Sequence, residues 1–378
     1  MLFVYTLRNL WARRRSLAPM LLSIAGAVAG AVLARANIDS LFQSVLSQAE
    51  PRNAIVVARD ATTEAVSAVP HAVLPRLAVS EGVAHDGNEP LFSAEGITNL
   101  LVFSVADEPT HLWARGVDPI AFRVHPKVHM TAGRKMERGE QAVIIGSRLV
   151  GKYRGLVLGG EVQVGRNEWK VVGVFDGNGT AHESEIWMDR SASDQALHFT
   201  EAAIVAVTLA DRPDALAILK RDVERVHEHP LRAEGALDFL HESLVEFEQY
   251  RATSTLFTSL LMLGCFFACG SAMYTSVLGR RREIATLIAI GFTRTRISVL
   301  LISESTIFAV LGGVVGLSVS LAFAGTDVAY SDARSYPLLV TPAVLLSGVV
   351  MSLGVGVVGG LVGFIESRRI DVTSALRG

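Results

Sequence analysis

The segment Gly146-Ser147-Arg148-Leu149-Val150-Gly151-Lys152 has the G-x4-G-K spacing with which a loop cradles phosphates, but Tyr153 stands where a P-loop needs the hydroxyl of a Ser or Thr for Mg²⁺. A strand followed by a helix start, with a surface lysine, accounts for it better. His125 and His129, and the run His227-Glu228-His229, raise the question of a metal. Residues two apart at a helix end point to different faces, so one ion could not take both His227 and His229. Both groups are expected to be solvated surface. His182-Glu183-Ser184-Glu185 reads as a turn, and no nucleophile has a base and an orienting carboxylate beside it. Cys265 and Cys269 lie four residues apart on one face of an apolar stretch, as small residues packing in a helix bundle do. No catalytic residue, bound cofactor or metal site is expected of this chain.

A different kind of chemistry lies at 280–296. Arg280, Arg281, Arg282, Arg294 and Arg296 surround apolar Ile284, Leu287, Ile288 and, after Gly291, Phe292. That pattern describes a short amphipathic helix which arginines hold near lipid headgroups, with an apolar face for a docking partner. Glu304 is an acid inside an otherwise apolar run. Intramembrane acids are costly, and no second one accompanies it, so pairing with a neighbouring arginine is expected over proton coupling. Gly312-Gly313-x-x-Gly316, Gly356-x-x-x-Gly360 and Gly359-x-x-x-Gly363 offer small faces for close helix contact. Their spacing leaves open whether the contact is within the chain or between two copies.

The elements that must position these groups follow from composition. The chain has 378 residues, 50% of them hydrophobic and 19% charged, with a mean hydropathy of +0.38. Soluble domains carry roughly 25% charged residues. Windows 16–34, 253–279, 305–326 and 337–365 contain no Asp, Glu, Lys or Arg. Each approaches or exceeds the length that crosses the ~30 Å hydrocarbon core. Transmembrane helices are therefore predicted at 16–36, 253–279, 297–326 and 337–365. Stretches 1–15, 280–296 and 366–378 together hold twelve arginines against Glu283, Glu366 and Asp371, leaving the rest of the chain 23 basic and 34 acidic residues. Positive charge near span ends stays in the cytoplasm. Both termini and the 280–296 link are thus expected inside, with 37–252 and the loop 327–336 outside.

A cleaved leader is the rival reading of the first span, since Ala34-Arg35-Ala36 fits an A-x-A site. The apolar core is long for one, and Arg35 falls inside the site. Upstream, Phe3, Leu7, Leu10 and Trp11 recur at helical spacing opposite the arginines, which predicts an amphipathic helix over 1–15 lying on the inner leaflet.

Beyond the first span, Ile38, Leu41, Phe42, Val45 and Leu46 continue the helical pattern as far as Pro51, and Leu237, Leu240, Leu244 and Phe247 do the same before the second span. Two amphipathic stalks packed on each other are predicted. Between them, strands are expected over 54–58, 141–145, 161–164, 169–175, 185–188 and 204–209, and Asp211-Arg212-Pro213-Asp214 opens a helix running to about 228. The whole reads as a four-helix transmembrane bundle carrying a large α+β extracytoplasmic domain on helical stalks, in two lobes, without disulfides. Its acidic balance argues against nucleic acid.

These features resemble the MacB/FtsX-type permease subunits of ABC transporters over nearly the whole length. Arg281-Arg282-Glu283-Ile284-Ala285-x-Leu287-x-Ala289-Ile290-Gly291 is similar to the family's R-x-R-E-I-x-x-L-x-A-L-G stretch. Leu301-Ile302-Ser303-Glu304-Ser305 with Gly312-Gly313-x-x-Gly316 resembles a second motif, and Asp371-Val372-Thr373-Ser374-Ala375-Leu376-Arg377 its D-P-x-x-A-L-R ending, with valine for proline. Arg115-Gly116-Val117-Asp118-Pro119, Ala132-Gly133-Arg134, 142–146 and Val171-Val172-Gly173-Val174-Phe175 resemble its periplasmic core domain in order and spacing. The resemblance implies a subunit without its own nucleotide site, working as a dimer with a second permease chain and cytoplasmic ATPase subunits that bind ATP and Mg²⁺. Residues 280–296 would be the coupling helix: Arg281, Arg282 and Glu283 position it, Ile284 and Leu287 dock it, and Gly291 ends it. Glu304 would make a polar contact in the inner leaflet. ATP-driven closure would pass through the stalks, so that work is done outside the membrane. Export with a periplasmic adaptor and outer-membrane channel, or extraction of lipoproteins or lipids, fits the large outward domain better than control of a cell-wall hydrolase. The alternative from another class is a receptor or scaffold that signals without ATP. Co-purification with an ATPase separates the two.

Overall fold

The computed structural model describes residues 14–226, 228–331 and 334–369. The predicted amphipathic segment with Phe3, Leu7, Leu10 and Trp11, the 371–377 ending, His227 and the Phe247 side chain lie outside the described residues. The chain divides into two units, and it passes between them four times: after Asp39, before Gln249, and at each end of Asp327–Pro337.

In chain order, helix α1 (Arg14–Leu46) is followed by strand β1 (Asn53–Ala58), helix α2 (Leu74–Ala78), the long strands β2 (Phe92–Phe103) and β3 (Pro109–Val117), and helix α3 (Ala121–Val124). Strands β4 (His129–Gly133), β5 (Ala142–Gly146), β6 (Glu161–Val164), β7 (Asn167–Asp176) and β8 (Ile186–Asp189) come next, then helix α4 (Arg190–Leu197). Strand β9 (Ile204–Thr208), helix α5 (Ala215–Glu224), strand β10 (Leu231–Gly235) and helix α6 (Ala236–Ser243) complete this domain. Helices α7 (Val245–Gly279), α8 (Arg281–Ala289) and α9 (Arg294–Ala322) follow, then the hairpin β11 (Asp327–Ser331) and β12 (Arg334–Pro337), and finally helix α10 (Pro342–Arg368).

Helices α1, α7, α9 and α10 are long and apolar enough to cross a membrane. Even α10, with 27 residues, rises about 40 Å at 1.5 Å per residue. Thr293 caps α9 by accepting from the Arg296 amide, so this helix begins at Arg294, ahead of the expected 297. Thr341 caps α10 in the same way, with Pro342 in the first turn where its missing N–H costs nothing.

The outward domain is built on one sheet path, β10-β1-β9-β2-β3-β8-β5-β7-β4, with β6 on β7. Strand β2 joins two lobes. Its residues Phe92 to Glu95 pair with β9, and Gly96 to Phe103 pair with β3. In the first lobe alternate residues of β1 and β9 serve two cores, as the two-residue period of a strand requires. Ala54, Val56, Val205 and Val207 face Leu219 and Val223 of α5, whereas Ile55, Val57 and Ile204 face Leu41 and Val45 of α1 and Phe239 and Leu240 of α6. The second lobe is mostly strand, packed around Val143, Ile145, Trp169, Val171, Ile186 and Met188.

Each expected strand coincides with an observed one to within a residue or two; β2, β3, β4, β10 and the hairpin strands β11 and β12 lie outside those expectations. The helix expected from 214 to 228 is shorter. Asp214 gives its carboxylate to Arg212, at 2.6 Å, instead of capping. The second stalk is two helices, α6 and α7, and its inward residues are Phe239, Leu240 and Leu244, while Leu237 is exposed. Both stalks do meet in one core, through Leu41, Val45, Leu240 and Leu244.

Candidate functional site

Helix α8 is the element for which the sequence predicts a docking role. Arg280, immediately before it, is only 3% exposed. Its Nε donates to Glu283 at 3.0 Å and its Nη1 to Glu304 at 2.9 Å. The expected arginine for Glu304 is therefore the last residue before the arginine-rich helix, reaching across to α9. Arg281 donates to Glu366 of α10 at 3.3 Å, and Arg294 to the Arg368 carbonyl at 2.9 Å. Two of the spanning helices, α9 and α10, are thus tied to α8 or its flanks at one end of the bundle.

Ile284 corrects the sequence reading. It is 3% exposed and packs with Met273, Val277, Ile297 and Leu301, and Leu287 and Ile288 lean on the same cluster. The face that was to dock a partner instead fixes α8 to its own bundle, because burying those side chains removes apolar area that the bilayer edge would otherwise leave in water. The outer face consists of Arg282, Thr286 and Ile290, at helical spacing, with Phe292 beyond the turn; Ile290 is 71% exposed. Gly291 ends the helix as expected. Its φ of +105° is open to glycine alone. The Phe292 amide donates to the Leu287 carbonyl and that of Gly291 to Ile288, which together form a Schellman closure.

The glycine faces are used within the chain. A Cβ on Gly312 would lie 2.9 Å from Ile24, and one on Gly316 2.6 Å from the Ala25 carbonyl, so these two seat α1 on α9. Gly313 abuts Ser352. Gly356 and Gly360 would each place a Cβ 2.7 Å from a backbone Cα of α9, at Thr306 and Ile302. Gly359 lies against Cys269, which itself contacts Ser305, with Sγ to Oγ at 3.6 Å. Cys269 is thus a packing residue between α7, α9 and α10, and Cys265, four residues before it on α7, is buried as well.

In the outward domain a buried ionic cluster overturns the surface reading of His125; His182 to Glu185 are buried too. Arg115, 1% exposed on β3, donates to Glu185 from Nε at 2.9 Å and Nη2 at 3.1 Å, to Glu95 at 2.7 Å and to Glu64 at 2.9 Å. His125 Nε2 contacts Glu95 at 2.7 Å, His182 Nδ1 contacts Glu185 at 3.0 Å, and the Trp187 indole donates to Glu185 at 3.0 Å. Burial opposes ionisation of Glu95, but His125 and Arg115 hold its pKa down to about 2. Burial likewise opposes ionisation of Glu185, which Arg115 and His182 keep well below the ordinary carboxylate range. Burial pushes His182 down, against the pull of Glu185. Glu64 and Glu95 belong to one lobe's side of β2 and Glu185 to the other, so the guanidinium clamps the lobe junction. Among the described residues no three metal-binding side chains converge as ligands. His129 is exposed, as expected.

Gly146 to Lys152 leave β5 through a short 3-10 turn. Lys152 is engaged by Asp327, and Tyr153 is not the short Ser or Thr that brings a hydroxyl to Mg²⁺, so this segment does not fit a nucleotide.

A multi-pass membrane protein with an α+β outward domain and a short amphipathic helix braced beneath its bundle is the class that these features define. Residues 18–226 match the MacB-like periplasmic core domain and residues 255–372 the FtsX-like permease C-terminal family. The chain belongs to the MacB/FtsX-type ABC transporter permeases. It is 22% identical over 289 residues to the ABC transporter permease YvrN of Bacillus subtilis, covering 69% of each chain. It is 30% identical over 105 residues to YknZ of the same organism, which is 28% of this chain and 26% of that one. It is also 25% identical over 227 residues to the pyoverdine export ATP-binding/permease protein PvdT of Pseudomonas fluorescens, covering 55% of this chain and 33% of PvdT. The matched stretch thus spans about a quarter of YknZ and a third of PvdT. Among solved structures, the periplasmic region of MacB from Actinobacillus actinomycetemcomitans aligns at 10% identity and a TM-score of 0.40, over 51% of this chain and 92% of that one.

Proposed function

We propose that this chain is the non-catalytic subunit of a transporter in which separate cytoplasmic ATPase subunits seat on α8 and their motion is passed to the outward domain. The observation that carries the reading is the construction of α8: Ile284 and the Arg280 to Glu304 ion pair brace it on the bundle, and Arg282, Thr286 and Ile290 are left outward. A helix braced on one face and open on the other passes force instead of absorbing it. The arginine distribution supports cytoplasmic termini in a bacterial inner membrane. ATP and Mg²⁺ belong to the partner. A second permease chain, identical or related, completes the assembly, and the task is export or extraction of a substrate outside the membrane. An adaptor and an outer-membrane channel would join in the export case.

The test is co-purification from native membranes. Ile290→Asp or Arg282→Glu is expected to lose the ATPase partner and its stimulated hydrolysis while the permease stays folded. Leu287→Asp is the poorer probe, since Leu287 leans into the bundle core. Wild-type coupled activity in Ile290→Asp, or labelling of Arg282→Cys from outside intact cells alone, would sink the reading.

A further inference from the structure

The hairpin between α9 and α10 belongs to the outward unit by its contacts, although helices of the membrane unit adjoin it at both ends. Its attachments are of two kinds. Tyr336, 3% exposed, sits in the core shared by Leu41 and Val45 of α1, Ile55 and Ile204 of the first lobe, and Phe239 and Leu240 of α6. That side chain is a fixed anchor, because withdrawing it would expose a whole aromatic ring. At the other strand, Asp327 accepts from Arg148 Nη1 at 2.9 Å and from Lys152, both of the second lobe. Arg148 is itself held by Glu183 at 2.7 Å, and the Ser184 hydroxyl donates to the Ser335 carbonyl at 3.1 Å. The Asp327 pairs are part-exposed, and exposed ion pairs are weak enough to open and reform.

From a fixed anchor in one lobe and a releasable ionic clasp on the other, we infer that the hairpin is a further drive element beside the two stalks, with Arg148 and Lys152 as its positioning residues. It rests on the transmission reading above. A shift of α9 and α10 reaches the first lobe through Tyr336 and the second through Asp327. The G-x4-G-K segment, unsuited to a nucleotide, thereby acquires a use: the tight turn after β5 presents two cations to one carboxylate.

The full transporter, co-purified with its ATPase and placed in lipid nanodiscs, carries the test. Spin labels on cysteines replacing exposed Glu168 of β7 and Glu224 of α5, with Cys265 and Cys269 replaced by alanine, report the distance between lobes. Vanadate trapping is expected to shift that distance in the parent protein. Lys152→Ala should remove more than half of the shift with ATPase turnover retained, and Arg148→Ala/Lys152→Ala nearly all of it. The exchange Lys152→Asp/Asp327→Lys should restore the shift, which a merely structural role would not require. Should Arg148→Ala fail to fold, Lys152→Ala and Asp327→Ala decide alone, and a full shift in both overturns the clasp. No shift in the parent protein overturns transmission itself, and the clasp with it.

Discussion

Two buried arginines hold the two halves of this molecule, and they differ in how they are surrounded. Arg280 in the membrane unit has Glu304 as its buried partner and an exposed one in Glu283. Arg115 in the outward domain holds Glu64, Glu95 and Glu185 at once, with two histidines closing the ring. In apolar helical surroundings the Arg280 to Glu304 pair helps fix a short helix in place. At the lobe junction the excess of acid over Arg115 is balanced only in combination, so the second site is more vulnerable to loss of a single charge. Removing one member of a buried ionic group leaves the others unpaired, which costs far more than the group as a whole contributes.

Arg115→Met should sharpen that contrast most. It takes the guanidinium away from three carboxylates and is expected to destabilise the outward domain by about 3–5 kcal/mol, seen as an early unfolding transition of the full chain in nanodiscs. A normal melting profile would show that the cluster is not the junction's clamp. Glu304→Gln should be milder, about 1–3 kcal/mol, since the amide oxygen still accepts from Arg280 and only the charge is lost. The readout is thermal unfolding of the permease, with co-purification of the ATPase as a second measure. An effect larger than that of Arg115→Met would reverse the comparison.

The smallest effect concerns acid. Glu95 and Glu185 have folded pKa values below those of the unfolded chain, so their stabilising contribution is present above about 4.5 and lost as pH falls toward 2 for Glu95. His182 is lowered beneath 6.5, so the unfolded chain takes up this proton first and stability already declines as pH drops below that value. All three act in one direction. The outward domain's transition should move to lower temperature from pH 7 to pH 5, and His182→Gln should flatten the decline. An unchanged slope in that variant would remove His182 from the account.

The same two arginines explain what could be read from the sequence. Glu304 stands out because an acid within an apolar run has no ordinary use, and the need for a neighbouring arginine follows. Glu95 carries no such mark. It lies in β2, where Ser93, Glu95 and Gly96 occupy inward positions that a strand usually gives to apolar residues. The cluster that satisfies Glu95 thus erased the alternation by which the strand would have been recognised. Its partners Arg115 and His125 are 20 and 30 residues away along the chain, and only the fold brings them together. That Ile284 of α8 packs on the chain's own bundle escaped the sequence for a related reason. Periodicity separates an apolar from a polar side, but it does not say whether the apolar side meets the chain's own bundle or another molecule.

Strand β2 has a practical corollary. Since a single stretch of backbone forms an inner rib of both lobes, a cut within it deprives each of a neighbour, and neither fragment retains a finished β-sheet. Anyone excising the outward part for crystallography or immunisation should treat it as indivisible and retain the hairpin sequence in trans, lest the cavity left by Tyr336 stay open.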